Sequence, residues 1–93
     1  MQTESLAARG RSHTALRELL EARASIVHDA ERVTLLDAAD ALLFDEPEAE
    51  AKLAQADEIV DHFIESERWL PGPAEQVRAA LHGCGGEALA ANA

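Results

Sequence analysis

The 93-residue chain contains one cysteine, no tyrosine and only three aromatic side chains. A lone cysteine excludes a disulfide framework and a cysteine-based zinc site. No run of 18 apolar residues occurs, so the sequence predicts no membrane-spanning helix. The opening residues lack the charged and then apolar pattern of a signal peptide. We therefore expect a cytoplasmic protein that does not contact a membrane.

Glycine and proline are also scarce in the middle of the chain, where Pro47 is the only one between Gly10 and Pro71. The remaining composition is rich in Ala, Leu, Glu and Arg, which favour helices. The sequence therefore predicts an all-α protein, an antiparallel two-helix hairpin with a short third C-terminal helix, which is a small helical bundle in one domain. The predicted segments are a flexible start (1–11), helix one (12–44), helix two (47–68), a short helix (73–82) and a flexible tail (83–93).

Helix two carries a regular apolar stripe. Its members alternate at four- and three-residue spacing, the pattern of a seam between packed helices: Ala49, Leu53, Ala56, Val60 and Phe63. The short helix has similar spacing at Ala74, Val77 and Leu81. These stripes predict the surfaces on which the bundle packs.

Helix one carries two apolar faces instead of one. The large side chains up to Val33 lie on one side, and those from Leu35 onwards lie on a side rotated by roughly 150°. Either a continuous helix buries different faces along its length, or the helix breaks near Val33 and Thr34. The absence of Gly and Pro favours the continuous helix. The later face is a candidate self-association surface, formed by Leu35, Leu36, Leu42 and Leu43, and we expect a homo-oligomer, with a dimer favoured, because so small a core gains from a partner.

The chain has 18 acidic and 8 basic residues, giving a formal charge of −10, and residues 37–68 alone carry eleven acids against two bases. Four of these acids follow one flank of helix two: Glu50, Asp57, Asp61 and Glu65. This acidic row is either a solvated helix face or a surface that meets a basic partner. Trp69 follows helix two and either clamps the third helix or serves as an exposed anchor of the binding patch.

Residue patterns for catalysis are absent. None of the four histidines completes a Glu-x-x-His or His-Glu-x-x-His motif, and Glu58 with His62 is too small a set for a metal site. Cys84 lies among glycines, where we expect it to be exposed and without a positioned base. We expect no catalytic residue, no cofactor and no metal, and the negative charge argues against direct binding of nucleic acid.

These observations predict a small acidic helical protein–protein interaction module, non-enzymatic, that binds and regulates or completes a partner protein with a basic surface. The alternative is an inhibitor that mimics nucleic acid and blocks a basic protein surface through the acidic row. In size and charge such a chain is similar to antitoxins and phage-encoded inhibitors, although no motif assigns it to a family. A second alternative is a small metal-binding helical bundle.

Overall fold

The helix-favouring segments form four α-helices. The computed structural model describes residues 6–85, with α1 (Leu6–Ala22), α2 (Asp29–Leu43), α3 (Ala49–Glu65) and α4 (Pro71–Gly83), and one turn of 3₁₀ helix at Ala24–Ile26. No strand occurs within these residues. For this part of the chain the all-α prediction is confirmed, with four α-helices where three were predicted.

The first predicted helix is divided between α1 and α2, so the continuous helix over 12–44 is wrong. At Val27 the backbone is extended, with φ −114° and ψ 122°. The His28 N–H then donates to the Glu31 carboxylate at 2.9 Å, an interaction typical of a helix N-terminus. A helix therefore ends and restarts here without Gly or Pro.

The alternative break near Val33 and Thr34 is also wrong. Both residues lie inside α2, where the Thr34 hydroxyl donates to the carbonyl of Ala30 at 2.9 Å. Val33, which was placed on the earlier apolar face, lies in α2 and is 65% exposed. The earlier face is therefore not buried along its whole predicted length.

Each helix packs antiparallel on the next one, and α4 returns to α1. Short connections between antiparallel neighbours are typical of an up-down-up-down bundle. Four cross-helix pairs record this order: His13 with Asp40, Asp37 with Lys52, Asp57 with His82, and Ser12 with Gly83. A Cβ atom at Gly83 would overlap the Ser12 hydroxyl, so α1 and α4 approach closely at that position.

The core contains the apolar stripes of all four helices. The residues predicted on α3 and α4 are buried, which confirms both stripes: Ala49, Leu53, Ala56, Val60, Phe63, Ala74, Val77 and Leu81. They pack with Leu16 and Leu20 from α1 and with Leu35 and Leu42 from α2. Among the described residues no polar or charged residue is buried.

Helix α3 ends earlier than the predicted limit at residue 68. The Glu67 N–H bonds to the Ile64 carbonyl at 3.0 Å and the Arg68 N–H to the Phe63 carbonyl at 3.1 Å. Glu67 has a φ of 61°. This is the Schellman arrangement, in which glycine is the usual residue at the left-handed position. Glu67 therefore adopts a backbone conformation that costs a non-glycine residue free energy.

The predicted ends of the chain differ in part from the structure. Residues 6–11, expected to be flexible, belong to α1, and the short helix predicted over 73–82 extends over Pro71–Gly83. Of the predicted flexible tail, Gly83 ends α4 and Cys84 is fully buried. The predictions for residues 1–5 and 86–93 lie outside the described residues.

Candidate protein-binding surface on α3

The predicted acidic row is interrupted in its middle by Arg78 of α4. Its guanidinium lies 3.2 Å from the Asp57 carboxylate and 2.5 Å from that of Asp61, and it also contacts Glu75 at 3.1 Å. His82 Nε2 lies 3.0 Å from Asp57. Asp57 and Asp61 are therefore engaged by the protein's own cation, and the row is not one continuous edge.

Arg78 is positively charged at physiological pH, and these contacts favour the charged form further. Partial burial alone would lower the pKa of Arg78, but the hydrogen bond with Asp61 and the charges of Glu75, Asp61 and Asp57 together raise that pKa above its ordinary value. A guanidinium with a raised pKa stays protonated at every physiological pH. Arg78 is thus a permanent counterion between α3 and α4.

A different set of carboxylates remains on the side of α3 that points away from the core. Glu50, Glu58 and Glu65 are exposed, and within residues 6–85 none of them has a cation at ion-pair distance. Their spacings of eight and seven residues keep them on one side of the helix. Ala51 and Ala54 are exposed between them. We call these five residues the outer α3 face.

Trp69 is not an exposed anchor, so its predicted place in the binding patch is wrong. It is 3% exposed and its ring stacks on Phe63, with 4.9 Å between ring centroids and 5° between planes. The Arg23 guanidinium lies 5.2 Å from the Trp69 ring centre, at cation–π distance. Trp69 instead closes the end of the core beside the connection from α3 to α4.

The predicted self-association surface is also wrong in its main residues. Leu35 and Leu42 are buried in the protein's own core, at 0% and 2% exposure, while Leu36 and Leu43 are half-buried. These leucines pack inside one copy of the chain. Large exposed apolar side chains in the described part are instead spread over several elements: Leu6, Val33, Phe44 and Leu70.

Cys84 is buried, which corrects the expectation of an exposed thiol. Its Sγ donates to the Ala80 carbonyl at 3.4 Å. Burial, with a smaller contribution from the negative charge of Asp40, raises the pKa of the thiol to about 11. Since the thiolate is the reactive form, Cys84 has neither the exposure nor the lowered pKa of a reactive cysteine.

Sequence reasoning missed that Arg78 of α4 pairs with Asp57 and Asp61 of the predicted acidic row. The available signal was its isolation, because it is the only Lys or Arg in residues 69–93. For the Glu58 and His62 pair, no group of three or more potential metal ligands comes together within residues 6–85. In the same part of the chain, no helix has the length and apolar character needed to cross a membrane.

No protein-family model, curated protein or solved structure matches the chain. The functional argument therefore depends on the geometry and charge of the residues described above.

Proposed function

We propose that the protein is a non-enzymatic interaction module that binds a partner protein with a basic surface through the outer α3 face. The observation that carries this proposal is the set of three exposed glutamates, Glu50, Glu58 and Glu65, that have no counterion among the residues the structure describes. Negative charge arranged on one face speeds association with a positive surface and selects against partners of the same sign. The module thereby regulates or completes its partner.

The shape of the outer α3 face supports the same proposal. Ala51 and Ala54 lie between the glutamates and are exposed. Small side chains let a partner backbone approach the helix closely, while the longer glutamates reach outwards to basic side chains. Contact of this kind suits a helix or loop that presents Lys or Arg at intervals of about two helical turns.

The ion pairs of Arg78 argue against the alternative in which the acidic row mimics nucleic acid. A mimic needs closely and regularly spaced negative charges, because DNA carries one charge per about 1.7 Å of helix axis. Asp57 and Asp61, the carboxylates that would supply this density, are engaged by Arg78. The remaining glutamates are widely spaced, which suits discrete contacts with separate basic side chains.

The test is charge reversal with a matched control on the opposite side of the bundle. The variant Glu58→Lys/Glu65→Lys changes the outer α3 face. The control Glu18→Lys/Glu21→Lys makes the same change in net charge on α1, where both glutamates are exposed. Tagged proteins are used to capture partners from the host extract, and the retained proteins are quantified by mass spectrometry.

We expect the wild type and the control to retain the same basic protein. The outer-face variant should retain at least about tenfold less of that protein, equivalent to about 1.4 kcal/mol of binding free energy. Purified partner should then associate more slowly as salt concentration rises. Equal retention by the two double variants would contradict the proposed surface. If both double variants lost the partner, net charge and not the outer α3 face would determine binding.

A further inference from the structure

A cavity lies between the outer sides of α1 and α2, and no residue of α3 lines it. Its volume is about 230 Å³. The lining combines charged, hydroxyl and aliphatic side chains, chiefly Thr14, Arg17, Leu20, Glu21, Arg32 and Leu36. Sites for drug-sized molecules occupy about 300–1,000 Å³, so this cavity has room for a smaller molecule.

Two arginines at this cavity have no acidic partner in the described part of the chain, although acids are abundant there. Within residues 6–85, neither Arg17 nor Arg32 lies at ion-pair distance from a carboxylate, even though Glu21 lines the same cavity. The Arg17 guanidinium donates to the Thr14 hydroxyl at 3.4 Å. Four of the eight basic residues of the chain do form ion pairs with carboxylates: Arg9, Lys52, Arg68 and Arg78.

The cavity also has an apolar part. Leu36 is half-buried and offers accessible aliphatic surface, whereas Leu20 is fully buried and offers none. A guanidinium presents a planar fork of donors that fits a carboxylate with two parallel hydrogen bonds. A ligand that matches both parts of the cavity therefore carries a carboxylate and a short apolar group.

The acids at the cavity limit the charge of such a ligand. Glu18 and Glu21 line it together with the two arginines, so they would repel a second negative charge. We propose that the cavity binds a small organic monoanion, with its carboxylate on Arg17 and Arg32 and its apolar group on Leu36. This site is separate from the outer α3 face and does not depend on the function proposed for that face.

The test is a titration of the protein with hexanoate, followed by ¹H–¹⁵N correlation spectra. Chloride keeps the ionic strength constant throughout. We expect saturable shifts at the amides of Leu20 and Leu36, with a dissociation constant in the millimolar range. Arg17→Gln and Arg32→Gln should each weaken binding at least tenfold. Arg11→Gln, which removes an exposed charge of α1 outside the cavity lining, should leave binding unchanged.

Two further comparisons separate a specific site from general attraction of anions. Arg17→Lys keeps the charge but loses the planar fork, and its affinity should fall between those of the wild type and Arg17→Gln. Inorganic phosphate should bind more weakly than hexanoate, because it lacks the apolar group and carries more charge. The proposal is overturned by shifts that do not saturate, by equal binding in Arg17→Gln, or by phosphate binding as tightly as hexanoate.

Discussion

Replacing Arg78 by methionine should destabilise the bundle, because three carboxylates lose their shared counterion. Methionine keeps an unbranched apolar side chain, so the change removes mainly the charge. The Arg78 side chain is 25% exposed, and ion pairs at such sites contribute about 0.2–1 kcal/mol each. Three such contacts, with Asp57, Asp61 and Glu75, span about 0.6–3 kcal/mol, and we expect a loss of unfolding free energy near the middle of that range, about 1–2 kcal/mol. In a domain of this size that lowers the melting temperature by roughly 5–15 °C.

The assay is urea unfolding followed by circular dichroism at low and at high salt. The loss should shrink in about 0.5 M NaCl, because salt screens partly exposed charges. A double-mutant cycle with Asp61→Asn should give a coupling of about 0.5 kcal/mol or more. Arg11→Met serves as a control, since Arg11 is exposed and makes no ion pair within residues 6–85. The role given to Arg78 would be refuted if Arg78→Met lowered the unfolding free energy by less than about 0.3 kcal/mol at low salt and the cycle with Asp61→Asn showed no coupling.

Three further predictions concern the backbone, the thiol and pH. Glu67→Gly should stabilise the protein by about 0.5–1 kcal/mol in urea unfolding, because glycine adopts positive φ freely; Glu67→Ala makes the same charge change, and an equal gain there would contradict the backbone explanation. Cys84 should react with Ellman's reagent only as fast as the protein opens, and immediate labelling of the native protein would contradict its burial. Burial alone would raise the pKa of Glu31, but hydrogen bonds from Arg68 and from the His28 backbone and the charge of Arg68 lower it below its ordinary 4.5. Its contribution to stability is therefore present above pH 4.5 and lost as the pH falls through the lowered folded pKa. The stability difference between wild type and Glu31→Gln should accordingly shrink from pH 7 to pH 3, and a difference that persists at pH 3 would count against this ion pair.

The sequence predicted the packing faces of α3 and α4 because those helices follow a single periodicity. Every member of the predicted α3 stripe, from Ala49 to Phe63, is buried. Periodicity of this kind follows directly from burial on one side of a helix. Recognising this periodicity does not require knowing which helices pack against the stripe. This part of the prediction therefore succeeded from the sequence alone.

The break between α1 and α2 was missed because it depends on a tertiary contact. Glu31 accepts hydrogen bonds from the His28 backbone at 2.9 Å and from Arg68 at 2.6 Å. Arg68 follows α3, so its position next to Glu31 exists only after the bundle has formed. The local signal, an acidic residue three positions after His28, was present in the sequence but was not used in the prediction.

The acidic row was misjudged for a similar reason. Spacing alone correctly placed Asp57 and Asp61 along one side of α3. It did not show that α4 packs on that flank and brings Arg78 between them. The candidate site therefore required the relative placement of two helices, which the pattern within either helix does not contain.

An even number of antiparallel helices brings the chain back to the end of the bundle from which it set out. Ser12, in the first half of α1, lies against Gly83 at the last position of α4. A peptide long enough to pass the first two turns of α1 could join the end of α4 to the start of α1 and close the helices into a ring, and the ring could be cut at any of the three connections. The order of helices along the gene could thus be permuted while every contact of the core is kept.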